Sequence, residues 1–225
     1  MNAVDFHSDI AEAFDERYRQ SPGFRERFRV WTKLFGRYVK PTDSVLDLGC
    51  GSGIFSSYLA GWGCTVTGID GSAEMISLCR QKTVAANVRY VVEPLPLASP
   101  GDYPVQDVII ASSLLEYIDD MTAMLSQANQ LLRPTGLLIV SMPNERSMYR
   151  RLERLLFALT GRPRYFAHIR NLSSEAKFDQ LLRKMGFDVI ETAYFSSYDP
   201  VSRFVKFVLP RPYANTLFVG VYQKR

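Results

Sequence analysis

Val45-Leu46-Asp47-Leu48-Gly49-Cys50-Gly51-Ser52-Gly53 decides how this chain is read. With Ser44, its apolar residues make a short β-strand, and Pro41 and Asp43 punctuate the approach. The glycines that follow let the backbone turn tightly and approach a ligand where a Cβ would collide. Residues 54–62 then carry helical spacing and close at Gly61 and Gly63. A strand running into Gly-x-Gly-x-Gly and then a helix suits an adenosine-bearing ligand.

Working outward, residues 65–69 predict a second strand ending at Asp70, which stands 19 positions after Gly51. A carboxylate there can accept from both hydroxyls of a ribose. Ser72 is placed to cap a helix running to about residue 84, and 88–92 make a third strand. Residues 105–111 predict a fourth, apolar enough to be covered on both faces. A helix over 119–132 is stopped by Pro134 and Gly136, which lead into a strand over 137–142. Strands alternating with helices imply crossover units and a doubly wound α/β sheet. Upstream, residues 5–38 read as helical, broken near Ser21-Pro22-Gly23. Downstream come a basic helix over 146–160, ended by Gly161-Arg162-Pro163, and a helix over 173–185 closed by Gly186. Strands over 187–195 and 215–223 follow, joined by an irregular, aromatic-rich connection. The expected organisation is a single domain over residues 1–225: a helical lid (1–40), a cofactor-binding core (44–142), a substrate lid (143–186) and final strands (187–225).

A dinucleotide-binding oxidoreductase shares this logic and has to be weighed. Its fingerprint is Gly-x-Gly-x-x-Gly, with a pyrophosphate on the helix N-terminus. Here the loop is one residue shorter, and Asp47 precedes it. A carboxylate at that point suits a ligand with an ammonium group and opposes a pyrophosphate.

The stretch 45–53 closely resembles motif I of the class I S-adenosylmethionine-dependent methyltransferases, and is similar to their ubiquinone-biosynthesis-like small-molecule branch. The resemblance continues through Gly68-Ile69-Asp70-Gly71-Ser72-Ala73-Glu74-Met75, residues 107–117 and Leu131-Leu132-Arg133-Pro134-Thr135-Gly136, covering about residues 44–142. It implies a Rossmann-like seven-stranded sheet whose last strand, here 215–223, is antiparallel, and S-adenosylmethionine as cofactor with S-adenosylhomocysteine as product. It also implies roles for particular residues. Gly49 and Gly51 would line the methionine half, Asp70 the ribose, and Gly71 and Met75 the adenine, with Asp47 and Cys50 also counted as cofactor-binding. Glu93 and Leu95 would lie at the adenine edge, although the family often has an Asp where Val91 or Val92 stands here. Ala111 and Ser112 would pass under the sulfonium. Phe14-Asp15-Glu16-Arg17-Tyr18 resembles an element that folds over the cofactor, which makes Tyr18 a lid residue unless the segment is a plain amphipathic helix.

Methyl transfer from a sulfonium is an in-line displacement of an already activated group, so the protein mainly aligns the acceptor and excludes water. An acceptor hydroxyl of high pKa gains from a general base. Of the two histidines, His7 and His168, the second follows the fifth strand and is the candidate base or orienting group; the alternative is a structural histidine. Tyr165 and Arg170 are candidate substrate contacts. Glu116 lies near the mouth after the fourth strand, or simply begins a helix. Glu116, Asp119 and Asp120 read as a solvated helix start more than as metal ligands, and the aspartates suit the helix dipole. No metal is expected.

The 225 residues are 47% hydrophobic and 22% charged with net charge +4, which excludes a disordered chain and does not by itself point to nucleic acid. Cys50, Cys64 and Cys79 form no CxxC and suggest a reducing compartment. Without an apolar leader over residues 1–20, or any apolar run of about 20 residues, a cytoplasmic location is expected. Leu152, Leu155, Leu156 and Phe157 alternate with arginines, and a second basic, apolar patch covers 203–211. Such segments lie on anionic membranes, cover lipophilic substrates, dock acidic carrier proteins or simply form a lid. The expected function is O-methylation of a small apolar or carrier-bound acceptor. N- or C-methylation is the alternative within the fold. An NAD(P)-dependent oxidoreductase, a nucleic-acid methyltransferase and a non-catalytic relative are the rivals outside it. Ala111-Ser112-Ser113-Leu114 lacks the Asn/Asp-Pro-Pro-aromatic pattern of enzymes methylating nucleic-acid amines, so no nucleic-acid partner is expected. The oligomeric state is left open.

Overall fold

The computed structural model describes residues 20–83, 85–162 and 164–225. Its sheet is built from β1 (Ser44–Leu48), β2 (Thr65–Asp70), β3 (Val88–Val92), β4 (Gln106–Ala111), β5 (Leu132–Pro143), β6 (Phe187–Phe195) and β7 (Leu217–Lys224). The order across it is β3-β2-β1-β4-β5-β7-β6. The pairings among β1 to β5 are parallel, while β7 runs antiparallel between β5 and β6. This is the seven-stranded Rossmann-like sheet that the resemblance implies.

Alternation along the strands divides the apolar side chains between two faces. Leu46, Leu48, Ile109, Leu138, Val140 and Met142 face α4 (Met121–Leu131) and α6 (Glu175–Lys184). Val45, Val66, Val108, Ile110, Ile139 and Val221 face α1 (Pro22–Tyr38) and α2 (Ile54–Trp62). Between β2 and β3 lies α3 (Ala73–Lys82), whose first turn is capped by Ser72 as the sequence predicts.

Ser21-Pro22-Gly23 begins a helix: Ser21 is the N-cap and Pro22, with its fixed φ, occupies the first turn of α1. Arg27, Trp31, Leu34 and Phe35 are its buried stripe. Trp31 stacks on Phe55 at 5.1 Å, and Phe35 meets the same ring edge-on at 5.7 Å. Much of the aromatic excess therefore docks α1 on α2.

Two predicted stretches differ. The fifth strand starts at Leu132, not 137, so Pro134 and Gly136 belong to a bulged strand start, where the register against β4 shifts. A Cβ on Gly136 would come 2.9 Å from the Arg133 carbonyl. The irregular connection after β6 holds two short helices, α7 (Pro200–Val205) and α8 (Arg211–Ala214), packed beside α5 (Met148–Thr160). Asp199 caps α7 by accepting from the Ser202 N–H at 2.6 Å. Among the described residues no helix is long and apolar enough to cross a membrane.

Candidate active site

β1 pairs with β2 on one side and β4 on the other, so the direction of winding reverses at its carboxyl end. Open α/β sheets bind ligands at such a point. There Gly49, Gly51 and Gly53 have φ of +67°, +53° and +74°, in the left-handed region where a side chain is strained. A Cβ on Gly49 would also approach Leu114 Cδ1 to 2.8 Å.

The loop is held by the next one. The Gly51 N–H donates to Asp70 Oδ2 and the Ser72 N–H to Asp70 Oδ1, each at 2.9 Å. Burial raises the Asp70 pKa and these two bonds oppose it. Cys50, also buried, donates its N–H to the Ile69 carbonyl at 2.9 Å.

Asp47 lies beneath the loop, buried. Ser56 Oγ donates to its Oδ2 at 2.5 Å, while Oδ1 has no hydrogen-bond partner among the described residues. Burial pushes its pKa up to about 7, the Asp70 charge adds to that, and Ser56 and Arg27 oppose it. An ammonium group would complete such an oxygen. That orphaned atom is why the residues here fit the amino-acid end of S-adenosylmethionine. Once bound, that cofactor supplies an activated methyl group.

The remaining candidates surround the same edge. Gly71 is half-buried, and Met75 is buried with its N–H on Ser72 Oγ at 3.1 Å. Glu93 donates its N–H to the Asp70 carbonyl and accepts from the Tyr103 hydroxyl. Leu95 packs on the core. Ala111, buried, ends β4, and Ser112 Oγ accepts from Arg27 Nη2 at 2.6 Å. Tyr18 lies outside the described residues.

Sequence reasoning missed Arg27, one cation in a crowded basic segment. Its helical phase was the available signal, since it sits one turn before Trp31 on the buried stripe of α1.

On the acceptor side, Glu116 corrects the reading of a solvated helix start. It sits in the tight turn Leu115–Tyr117 and is 4% exposed, while Asp119 and Asp120 remain exposed. Asp120 caps α4 by accepting from the Ala123 N–H at 2.9 Å. Arg170 and Asn171 donate their N–H groups to the Glu116 carbonyl, at 2.6 and 3.3 Å, tying the segment after the turn Arg164–His168 to the end of β4. His168, partly buried, stands two residues before that tie. The Arg170 side chain runs outward to Asp119 at 3.2 Å. The Tyr165 hydroxyl donates to Glu153 and accepts from Arg150 Nη1 at 3.0 Å, and Arg150 pairs with Glu153 at 2.8 Å. No cluster of His, Cys, Asp and Glu suited to a metal occurs among the described residues.

The sheet order, the glycine loop and the two acids beside it define a Rossmann-like protein built for S-adenosylmethionine. Residues 18–192 match the family model described as a methyltransferase domain. The chain belongs to this methyltransferase family. Ubiquinone biosynthesis O-methyltransferase of Xanthomonas campestris pv. campestris is 32% identical over 113 residues, covering 48% of this chain and 46% of the relative. Carboxy-S-adenosyl-L-methionine synthase of Vibrio atlanticus is 30% identical over 60% of each chain. The chain thus spans about half the length of these curated relatives. Among solved structures, the N-methyltransferase NodS of Bradyrhizobium japonicum, in complex with S-adenosylhomocysteine, superposes with TM-score 0.71 at 17% identity over 100% of this chain and 99% of its own. Magnesium protoporphyrin IX methyltransferase of Synechocystis gives 0.70 at 19%, over 99% of each chain.

Proposed function

We propose that this chain transfers the methyl group of S-adenosylmethionine to an oxygen of a small apolar acceptor, free or carried on a protein. The observation that carries this reading is the inverted lid helix α5. Its buried residue is Glu153, whereas Met148, Leu152, Leu155, Leu156 and Leu159 are exposed. An amphipathic helix on a protein surface ordinarily turns its leucines inward. Beside α5, Phe204, Phe207 and Val208 are also exposed, at 77–84%, among Arg203, Lys206 and Arg211. An apolar surface edged with cations suits delivery of a lipophilic acceptor from an anionic bilayer. The names of the Xanthomonas relatives support oxygen as the methylated atom.

In this reading Asp47, Gly49, Cys50, Gly51, Ala111 and Ser112 hold the methionine half and the sulfonium. Asp70 takes the ribose, and Gly71, Met75, Glu93 and Leu95 take the adenine. His168 orients the acceptor, with Tyr165 in contact with it; Arg170, whose side chain turns to Asp119, serves through its backbone N–H on the Glu116 carbonyl. The test is incubation with S-adenosylmethionine and three acceptors: a geranylated phenol, the matching aniline and a carbon acid, with products identified by mass spectrometry. Methyl ether formation on the phenol is expected. Methylation of only the aniline or the carbon acid would replace oxygen by nitrogen or carbon.

A further inference from the structure

Of the acids at this edge, Asp47 and Asp70 face the cofactor loops, and Glu116, whose carboxyl takes a hydrogen bond from the Ser113 side chain, faces the acceptor side. Its backbone carbonyl is used by Arg170 and Asn171. Its carboxylate Oε2 is buried with no hydrogen-bond partner among the described residues. The charged and titratable groups that act on it are Arg27 from α1, Arg150 from α5 and the half-buried Tyr117 of its own turn. Arg27 places its donors on Ser112, and Arg150 places Nη1 on Glu153 and Tyr165. Arg150 Nε, in turn, has no acceptor among the described residues.

A buried polar atom left unmet calls for an explanation, and a catalytic role is one of the few available. An unmet carboxylate oxygen needs a donor, and an unmet guanidinium N–H needs an acceptor. A hydroxyl is both. Glu116 also stands four residues beyond Ser112, where the sulfonium is expected. Arg27 links the two places, acting on Asp47 and on Glu116 alike.

We propose that Glu116 is the acceptor-side base: Oε2 takes the hydrogen bond of the acceptor's hydroxyl and then its proton during transfer. This rests on the O-methylation reading above. A lone pair of the acceptor oxygen forms the bond to the methyl carbon. The sulfur–carbon bond breaks with its electron pair going to sulfur. The hydroxyl proton moves to Glu116 and leaves later to solvent, so the products are the methyl ether, S-adenosylhomocysteine and a proton. Burial pushes the Glu116 pKa up, while hydrogen bonds from backbone and the Ser113 side chain and the charges of Arg27 and Arg150 pull it back; a raised pKa makes the carboxylate a stronger base than an exposed one.

Glu116→Gln tests this with three readouts. Calorimetry should give S-adenosylhomocysteine a Kd within about threefold of wild type. With whichever of catechol or geranylated phenol the wild type methylates at oxygen, kcat should fall roughly 100-fold or more, with Glu116→Asp in between. The melting temperature at pH 8 should equal or exceed that of wild type, because the variant removes a buried charge whose Oε2 has no donor among the described residues. Retention of kcat within about threefold would overturn the proposal. So would a lower melting temperature at pH 8 or failure of the Gln variant to fold, since Glu116 would then be the structural counter-ion of Arg27 and Arg150. A wild type that methylates only amines would overturn the oxygen reading instead, and the melting comparison would still judge Glu116.

Discussion

Asp47 shows how one residue couples ligand affinity to pH. Its carboxylate is held near pKa 7 by burial, so binding an ammonium group below that value must first displace a proton. The Kd for S-adenosylhomocysteine should rise about tenfold per pH unit below about 7 and level off above it. Asp47→Asn should weaken binding at pH 8 by roughly tenfold to a hundredfold, the range of a charge-assisted bond, and flatten the pH profile. Calorimetry across pH 5.5–8.5 checks both. Because folding raises this acid's pKa, its contribution to stability is present below about pH 4 and lost as pH rises through about 7. Asp47→Asn should therefore raise the melting temperature at pH 8 relative to wild type. Asp70 acts differently. It fixes the Gly51 and Ser72 amides before any ligand arrives, so Asp70→Ala should abolish S-adenosylhomocysteine binding through the loop as well as through the ribose. Unchanged affinity would remove the ribose assignment.

At the scale of elements, α1 and α5 present opposite cases of helix amphipathicity. The stripe of α1 buries Trp31 and Phe35 against Phe55, and full burial of such side chains contributes roughly 1.5–3 kcal/mol each. Trp31→Ala should cost about 3–5 kcal/mol in a urea titration, and it should also weaken cofactor binding, because α1 carries Arg27 to Ser112. The leucines of α5 and Phe207 and Val208 in the turn after α7 stay exposed and do no such packing. Phe204→Ser with Phe207→Ser should leave the melting temperature within about 2 °C of wild type, as exposed substitutions do. The same pair should abolish co-sedimentation with vesicles of phosphatidylglycerol and phosphatidylcholine, binding that wild type loses at high salt. Wild type that ignores anionic vesicles would leave α5 serving a carrier or the acceptor alone.

Taken whole, the molecule gathers three acids whose pKa burial raises, Asp47, Asp70 and Glu116, on the carboxyl edge of one sheet. Such an edge is less stable without ligand than with it. S-adenosylhomocysteine at about 100 times its Kd should add about 2.7 kcal/mol of stability, which for a chain of this size raises the melting temperature by roughly 5–10 °C. NADH at the same concentration should have no effect. Stabilisation by NADH alone would turn the glycine loop back into a dinucleotide site.

The local sequence determined the backbone of the cofactor half. Gly49, Gly51 and Gly53 had to occupy turns that exclude a Cβ, and alternating apolar strands had to be covered on both faces, because these constraints act between near neighbours. The same neighbourhood placed Asp70 and Ser72, and the family resemblance supplied the antiparallel last strand. Sequence also suggested that 146–160 was helical and amphipathic, since periodicity is local. Which way that helix faces was decided by tertiary packing, which turned Glu153 inward and the leucines out. Packing likewise took Glu116 from an apparent solvent-facing helix start into a buried turn, sent the Arg170 side chain to the surface, and brought Arg27 across 85 residues of sequence to Ser112. Burial and the meeting of distant charges depend on how helices settle on a sheet, and no short stretch of chain encodes that.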